Sequence, residues 1–435
     1  YPASNAYAFN IAYTDPAGNV AAAPAENESE ASFVVDAELP EIEIVGIADR
    51  TAYNAADILP TVTFIDSGNL LEGDETGGAL DITLTRRGFG EEAASVDSLL
   101  QDVAQGETVN LAYHNDETTR LGDGIYTLTA KATDNAGNEY EQELVYSVNR
   151  WGSTWYTADA TNDMVEQYYT NDPVDLEIHE INPNNTVASE LVLSLGDTAQ
   201  SKLTEGLSDG RGYKRQSTGS ADVWYEHVYT VPATNFDRDG IYSLAISTQD
   251  EPGNSSSLRT PKDDPGVEGD EPLEIKFYVD TTAPELSVTG IEEGGRYSSD
   301  TQAARINVYD DTLDSVGIYI DDDAVPADSF TGAEIVRNGG YADYLVGTSG
   351  APVAIRLAAH DLAGNTTEYG VNDVLVNPDA FVQLVNNPVA LAFAIGGGIL
   401  GLLILAGLVF LIASGTLARL IGSRSAKQAE GSPAS

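Results

Sequence analysis

Asp310, Asp311 and Asp314 fall within one short stretch, and Asp263-Asp264 and Asp321-Asp322-Asp323 form two further acidic runs. Carboxylates spaced this way suit a hard divalent cation, because calcium takes about six to eight oxygen ligands, many of them from Asp. No EF-hand loop pattern accompanies them. The chain has 69 Asp and Glu among 435 residues, so composition alone also produces such runs, as plain solvated faces. Calcium is therefore expected, if anywhere, at Asp310, Asp311 and Asp314, and no other cofactor is expected.

The remaining reactive residue types are sparse. The four histidines are His114, His179, His227 and His360, and none stands in an HExxH pattern, since His179-Glu180 continues as Ile-Asn-Pro. G-x-S-x-G, P-loop and dinucleotide-glycine patterns are missing as well. With no cysteine, the chain can form no disulfide, thiolate metal site or thioester. Lys–Asn isopeptide crosslinks are not expected in residues 281–377, which contain no lysine, or in 37–149, whose one lysine, Lys131, should point outward. No catalytic set emerges, and the reading is non-enzymatic.

Aromatic rings offer a second kind of chemistry. Trp151, Trp155, Tyr156, Tyr168 and Tyr169 crowd one region, with Trp224-Tyr225 further on. Flat rings can stack on sugars, so Trp151, Trp155 and Tyr156 are candidates for a glycan platform. The plainer reading of the same residues is core and interdomain junction. Nucleic acid is excluded as a partner: 21 Lys and Arg against 69 Asp and Glu give a formal net charge of −48, which repels phosphate.

These side chains must be positioned by a repeated element. DPAGN (15–19), DNAGN (134–138), DEPGN (250–254) and DLAGN (361–365) are four near-copies, 119, 116 and 111 residues apart. Before each Asp, apolar residues alternate with small or polar ones: Tyr7, Phe9, Ile11, Tyr13; Tyr126, Leu128, Ala130, Ala132; Tyr242, Leu244, Ile246, Thr248; Val353, Ile355, Leu357, Ala359. Period two marks a strand with one buried face. The pentapeptide should end it as a turn, with Asp15, Asp134, Asp250 and Asp361 bonding the backbone ahead. Gly18, Gly137, Gly253 and Gly364 should take positive φ, and Asn19, Asn138, Asn254 and Asn365 close the turn. In two copies Asp-Gly precedes Ile-Tyr (123–126 and 239–242), which resembles the corner entering strand F of an immunoglobulin-like sandwich. Leu128 and Leu244 stand where a disulfide-bonded domain of that kind places cysteine.

Linkers such as VDTTAPELSVTG (279–290), the D-x-A-G-N turns and the stretch VNRWGSTWYTAD (148–159) resemble the bacterial immunoglobulin-like (Big-type) repeat surface proteins of Gram-positive bacteria. The resemblance covers residues 1–377 and implies display on a cell surface, as stalk or adhesin. The fold class follows: all-β, tandem immunoglobulin-like β-sandwich domains followed by one C-terminal transmembrane helix. Expected boundaries are a C-terminal domain fragment at 1–36, domains at 37–149, 150–280 and 281–377, a linker at 378–388, the span at 389–413 and a tail at 414–435. Because the first pentapeptide arrives after 14 residues, the chain is read as starting inside a domain.

Val389 to Ala413 contains 25 residues without a charge, enough to cross a hydrocarbon core of ~30 Å as a helix. Arg419, Arg424 and Lys427 follow it against a single acid, Glu430. The positive-inside bias then places residues 1–388 outside the cell membrane and the tail in the cytoplasm, a single-pass topology. Gly397 and Gly401 are spaced for a weak homodimer through the span. The leading expectation is a membrane-anchored bacterial surface stalk holding further N-terminal domains off the envelope. The alternatives are an adhesin for a host glycan or matrix protein, and the anchoring region of a large extracellular enzyme. Polar insertions at residues 21–30 and 254–272 are expected to be mobile loops.

Overall fold

The computed structural model describes residues 4–10, 13–20, 30–55, 58–66, 77–111, 122–197, 199–258 and 274–413. Ile11, His114, Asp263, Asp264, the two insertions over 21–29 and 259–272, and the tail with Arg419, Arg424, Lys427 and Glu430 lie outside them. The chain divides into two compact units, Tyr1–Asp280 and Thr281–Ser435. Both are built of two-sheet β-sandwiches.

The first unit begins with β1 (Asn5–Asn10) paired antiparallel with β2 (Glu30–Val35). Its first sandwich holds β3 (Glu41–Val45), β4 (Thr51–Tyr53), β5 (Thr61–Ile65), β6 (Gly78–Arg87), β7 (Ala94–Val103), β8 (Thr108–Asn110), β9 (Gly124–Asp134) and β10 (Glu139–Val148). The sheets run β3-β5-β8 and β4-β10-β9-β6-β7. The chain enters in one sheet and crosses to the other, where β4 pairs parallel with β10 while the other pairs are antiparallel. Alternation along β9 does what period two requires: Tyr126, Leu128, Ala130 and Ala132 are buried against Phe64, Leu80, Ile82 and Leu84, and Thr127, Thr129 and Lys131 face outward. Lys131 pairs with Glu139 at 2.9 Å on that outer face.

The second sandwich, in the same unit, holds β11 (Thr154–Thr157), α1 (Asp159–Gln167), β12 (Tyr169–Thr170), β13 (Leu176–Asn182), β14 (Thr186–Leu195), β15 (Ala199–Lys202), β16 (Gly206–Ser208), β17 (Arg211–Ser220), β18 (Val223–Val231), β19 (Gly240–Asp250), β20 (Ser255–Ser257) and β21 (Ile275–Val279). Its sheets are β11-β13-β18-β17-β16 and β12-β21-β19-β14-β15, with β20 on β19. The Tyr corners form in both sandwiches. Tyr126 Oη donates to the Gly122 carbonyl at 2.5 Å, and Tyr242 Oη accepts from the Arg238 amide at 3.2 Å. Leu128 and Leu244 are buried at the places a disulfide would bridge. No disulfide bridges these sheets; the side chains packed between them contribute about 1.5–3 kcal/mol per buried large residue.

The second unit holds β22 (Glu285–Thr289), β23 (Arg296–Tyr297), β24 (Thr301–Tyr309), β25 (Leu313–Ile320), β26 (Asp328–Thr331), α2 (Gly332–Arg337), β27 (Tyr341–Gly347), β28 (Val353–Asp361), β29 (Thr366–Val376), α3 (Ala380–Val385) and α4 (Pro388–Ala413). The sheets are β22-β24-β27 and β23-β29-β28-β25-β26. A capping box starts α2: the Glu334 amide donates to Thr331 Oγ1, and the Glu334 carboxylate accepts from the Thr331 amide. α4 is the helix foreseen from the uncharged run. Its stretch Pro388–Phe410 is long and apolar enough to cross a membrane, and its apolar window is not buried against the other described residues.

Candidate functional site

The pentapeptide turn has one geometry in all four copies. The Asp amide donates to the Asn carbonyl at 2.9–3.1 Å, and the Gly amide donates back to the Asp carbonyl at 2.9–3.4 Å. One Asp carboxylate oxygen accepts from the Asn amide at 2.7–2.8 Å, and the other from Asn Nδ2 at 2.7–3.0 Å. The glycines sit at φ +88°, +91°, +96° and +95°, where a side chain is strained. At Asp15 these bonds hold the carboxyl below its ordinary range, the Asn19 side chain contributing most.

A second role appears in three copies. Asn138 Nδ2 donates to the Asp36 carbonyl at 3.3 Å, Asn254 Nδ2 to the Asn149 carbonyl at 2.7 Å, and Asn365 Nδ2 to the Thr282 carbonyl at 3.3 Å. Each acceptor lies on the segment that leads into its own sandwich. The turn therefore closes a hairpin and also ties down the incoming chain, so each joint is built from three places: the linker, the end of the strand paired with the sandwich's first strand (β5, β13 or β24) and the pentapeptide.

At the first joint those places carry Asp36, Asp66 and Asp134, and one carboxylate oxygen of each lies within 4.8 Å of the others. Asp66 and Asp134 are buried, and Asp36 half-buried. Asp36 Oδ1 accepts from Ser4 Oγ and the Glu38 amide, while its Oδ2 is buried and accepts no hydrogen bond from the described residues. Like charges at this spacing repel by about 1–3.5 kcal/mol per pair, depending on the effective dielectric. A divalent cation removes that repulsion, and an all-oxygen donor set fits calcium.

The second joint solves the same problem without an ion. Asn149 and Asn182 stand where Asp36 and Asp66 stand, and Asp250 where Asp134 does. Asn149 Nδ2 donates to Asn182 Oδ1 at 3.0 Å and to Asp250 Oδ2 at 2.9 Å, and Asn182 Nδ2 donates to Asp250 Oδ2 at 3.3 Å. Two amides on one carboxylate make a closed, satisfied cluster. Glu180 beside it is fully buried, yet it accepts from Ser153, Thr186, Thr248 and Tyr229 hydroxyls at 2.5–3.2 Å. His227 is buried too; burial and then Arg215 push its imidazole down to about 4.

The acidic residues singled out from sequence are not gathered into one site. Asp310 lies beside Asp361, with carboxylate oxygens within 4.8 Å, and accepts from the Thr312 amide at 2.7 Å. Asp311 and Asp314 are exposed, belong to no group of three acids that could share a cation among the described residues, and Asp314 accepts from Ser315 Oγ. The reason is geometric: Asp310 directly follows β24, whereas Asp314 already belongs to β25, in the other sheet. Sequence reasoning missed Asp36 and Asp66. Their signal was present in the matched pairs Val35-Asp36 and Ile65-Asp66, one opening the linker and one ending a strand.

The aromatic platform is corrected likewise. Trp155 is fully buried and packs on Tyr229 with ring centroids 6.1 Å apart. Tyr156, its neighbour on β11, faces the other way, as strand alternation demands. It stacks on His179 at 4.3 Å and donates to Glu226 at 2.7 Å, and burial raises its hydroxyl to about 12. Trp151 is 43% exposed, beside Arg150. The three share no face. Trp224 belongs to a junction: its Nε1 donates to the Arg87 carbonyl at 2.9 Å, and it packs edge-on to Phe89.

No family model matches the chain. No curated protein matches it. Among solved structures it is similar to a tetra-tandem repeat in the extending region of a large adhesion protein (15% identity, TM-score 0.33, covering 87% of this chain and 83% of that one). It is also similar to a 1.5-MDa bacterial ice-binding adhesin studied for host cell surface retention (14%, TM-score 0.23, covering 78% and 98%). A third is a Ca2+-stabilized adhesin by which an Antarctic bacterium binds ice (14%, TM-score 0.22, covering 86% and 81%). At identities and TM-scores this low the likeness assigns neither family nor role.

Proposed function

We propose that this chain is a non-enzymatic stalk of a bacterial, Gram-positive cell surface, anchored by α4 with residues 1–388 outside and the tail in the cytoplasm. One observation carries the reading: sandwiches that repeat one joint are followed by a helix of 26 residues whose apolar stretch is not buried by any of the described residues. The proposed divisions are 1–36, 37–149, 150–280, 281–377, 378–388, 389–413 and 414–435. Gly397 and Gly401, four residues apart on one helix face, would let two spans approach as a weak homodimer. The test is topology in cells. The full chain, tagged at its C-terminus, should stay with membranes through an alkaline carbonate wash, and external protease should remove the sandwiches and spare the tag. Carbonate release, or loss of the tag to external protease, would sink the proposal.

Calcium is proposed as the ion of the first joint, held by Asp36, Asp66 and Asp134. It would lock the entering chain to the turn and cancel the carboxylate repulsion. Support comes from the buried Asp36 Oδ2, which has no donor among the described residues, and from the second joint, where amide N–H groups stand in a cation's place. A second function, binding a host glycan or matrix protein, is favoured by a cavity in the middle sandwich.

A further inference from the structure

The second sandwich has a cavity that neither the turns nor the joints use. It has a volume of about 550 Å³, within the usual range for small-molecule sites. Its origin is a short strand. In the first sandwich β6 is covered by the ten-residue β7. In the second, β14 is covered only by the four-residue β15. The third sandwich has a four-residue β26 in that position, but α2 follows it and buries Ile335 in the core. Among the described residues the second sandwich has no such plug: the chain runs on into β16, and these residues leave the space open.

The walls are fixed. The Gly212 amide donates to Asn235 Oδ1 at 3.1 Å, and Asn235 Nδ2 donates to the Gly212 carbonyl at 3.0 Å. Thr234 Oγ1 holds the Gly210 carbonyl. A Cβ on Gly212 would come within 2.5 Å of the Thr204 carbonyl, so the approach there needs glycine. Leu193 and Tyr242 are buried behind the cavity, while Leu207 stands 40% exposed at its mouth.

Charge sets this place apart. In a chain of net charge −48, Lys202, Arg211 and Arg238 all line one cavity, with Glu205 the one acid among the lining residues. Lys202 is paired with Glu190 and Arg211 with Asp237, but Arg238 has no ion-pair partner among the described residues. We propose that the cavity binds an acidic sugar, a hexuronate or short oligouronate. A guanidinium matches a carboxylate with two parallel hydrogen bonds. Leucine at the mouth suits the C–H face of a pyranose ring. The exposed hydroxyls of Ser201, Thr204 and Ser208 suit a polyhydroxylated body. An inorganic anion would leave most of the volume to water. The proposal goes beyond the stalk reading and does not depend on it, because the cavity is formed wholly within the second sandwich.

The test is calorimetric titration of the full 435-residue chain in detergent with galacturonate and digalacturonate, beside glucose, acetate and inorganic phosphate. Galacturonate should saturate, digalacturonate should bind tighter, and glucose and acetate should bind at least about tenfold more weakly. Arg238→Gln, at an exposed position, should weaken galacturonate about tenfold with melting unchanged, and Leu207→Asp should remove binding. No saturation by about 10 mM galacturonate overturns the proposal, as does equal binding by Arg238→Gln. Phosphate binding with galacturonate no tighter than acetate would show a bare anion site and overturn the sugar class. None of these outcomes touches the membrane topology, so the two proposals fail separately.

Discussion

A single residue type, Asp at the head of each turn, serves different ends according to what faces it. Asp250 faces two amides and is satisfied within the protein. Asp134 faces two carboxylates. Asp66→Asn should therefore raise the melting temperature in chelator, by relieving repulsion, and reduce or abolish the gain that calcium gives the parent chain. An identical calcium response in both proteins would exclude the first joint as the site. His227 provides a pH test. Its folded pKa of about 4 lies below the ordinary value of ~6.5, so on acidification the unfolded chain binds the proton first. The stability from the neutral ring is complete above pH ~6.5 and is lost as pH falls toward about 4, at most about 3 kcal/mol. Denaturant titrations at neutral pH and near pH 4.5 should show a smaller acid loss for His227→Gln than for the parent. Equal losses would mean the ring is not the group responsible.

At the scale of elements, the β17–β18 hairpin does more than complete a sheet. Its tip carries Asp222 and Trp224 to the first sandwich, where Asp222 meets Arg50 at 3.3 Å and its carbonyl accepts from Arg87. Each sandwich keeps its own core, so this contact couples two bodies that could fold separately. Trp224→Ala removes a hydrogen bond and an edge-on aromatic contact, worth roughly 1–2 kcal/mol together. Calorimetry should then resolve the first two sandwiches as separate transitions where the parent melts them together, while joint melting as in the parent would mean the coupling lies elsewhere, for instance in the Arg150–Asp123 pair. The turns and the alternating strands were legible because both are local: Gly137 needs positive φ whatever surrounds it. The fate of Trp155 and Tyr156 was not, because adjacent residues on a strand look alike until one face is known to be covered.

At the scale of the whole molecule, composition and the terminal helix point the same way. A chain of −48 net charge repels its own copies and polyanions, while α4 supplies an apolar surface that water does not tolerate at this length. Removing Pro388–Ala413 should give a protein that stays in solution and whose sandwiches melt as before, since none of the apolar window is buried against them. A truncated chain that aggregates or melts earlier would show that α4 has a packing partner instead.

What the sequence determined by itself was whatever depends on neighbours along the chain. That includes the period-two strands, the four turns, the buried leucines in place of cysteines, and an apolar run long enough to cross a membrane. The tertiary structure decided what depends on residues far apart. Asp36, Asp66 and Asp134 are brought together across 98 residues of chain, whereas Asp310 and Asp314, four apart, are separated by a change of sheet. It also decided that a four-residue β15 leaves a cavity in one sandwich while α2 fills the matching place in another. Such outcomes follow from how two sheets close on each other, and no local pattern encodes that closure.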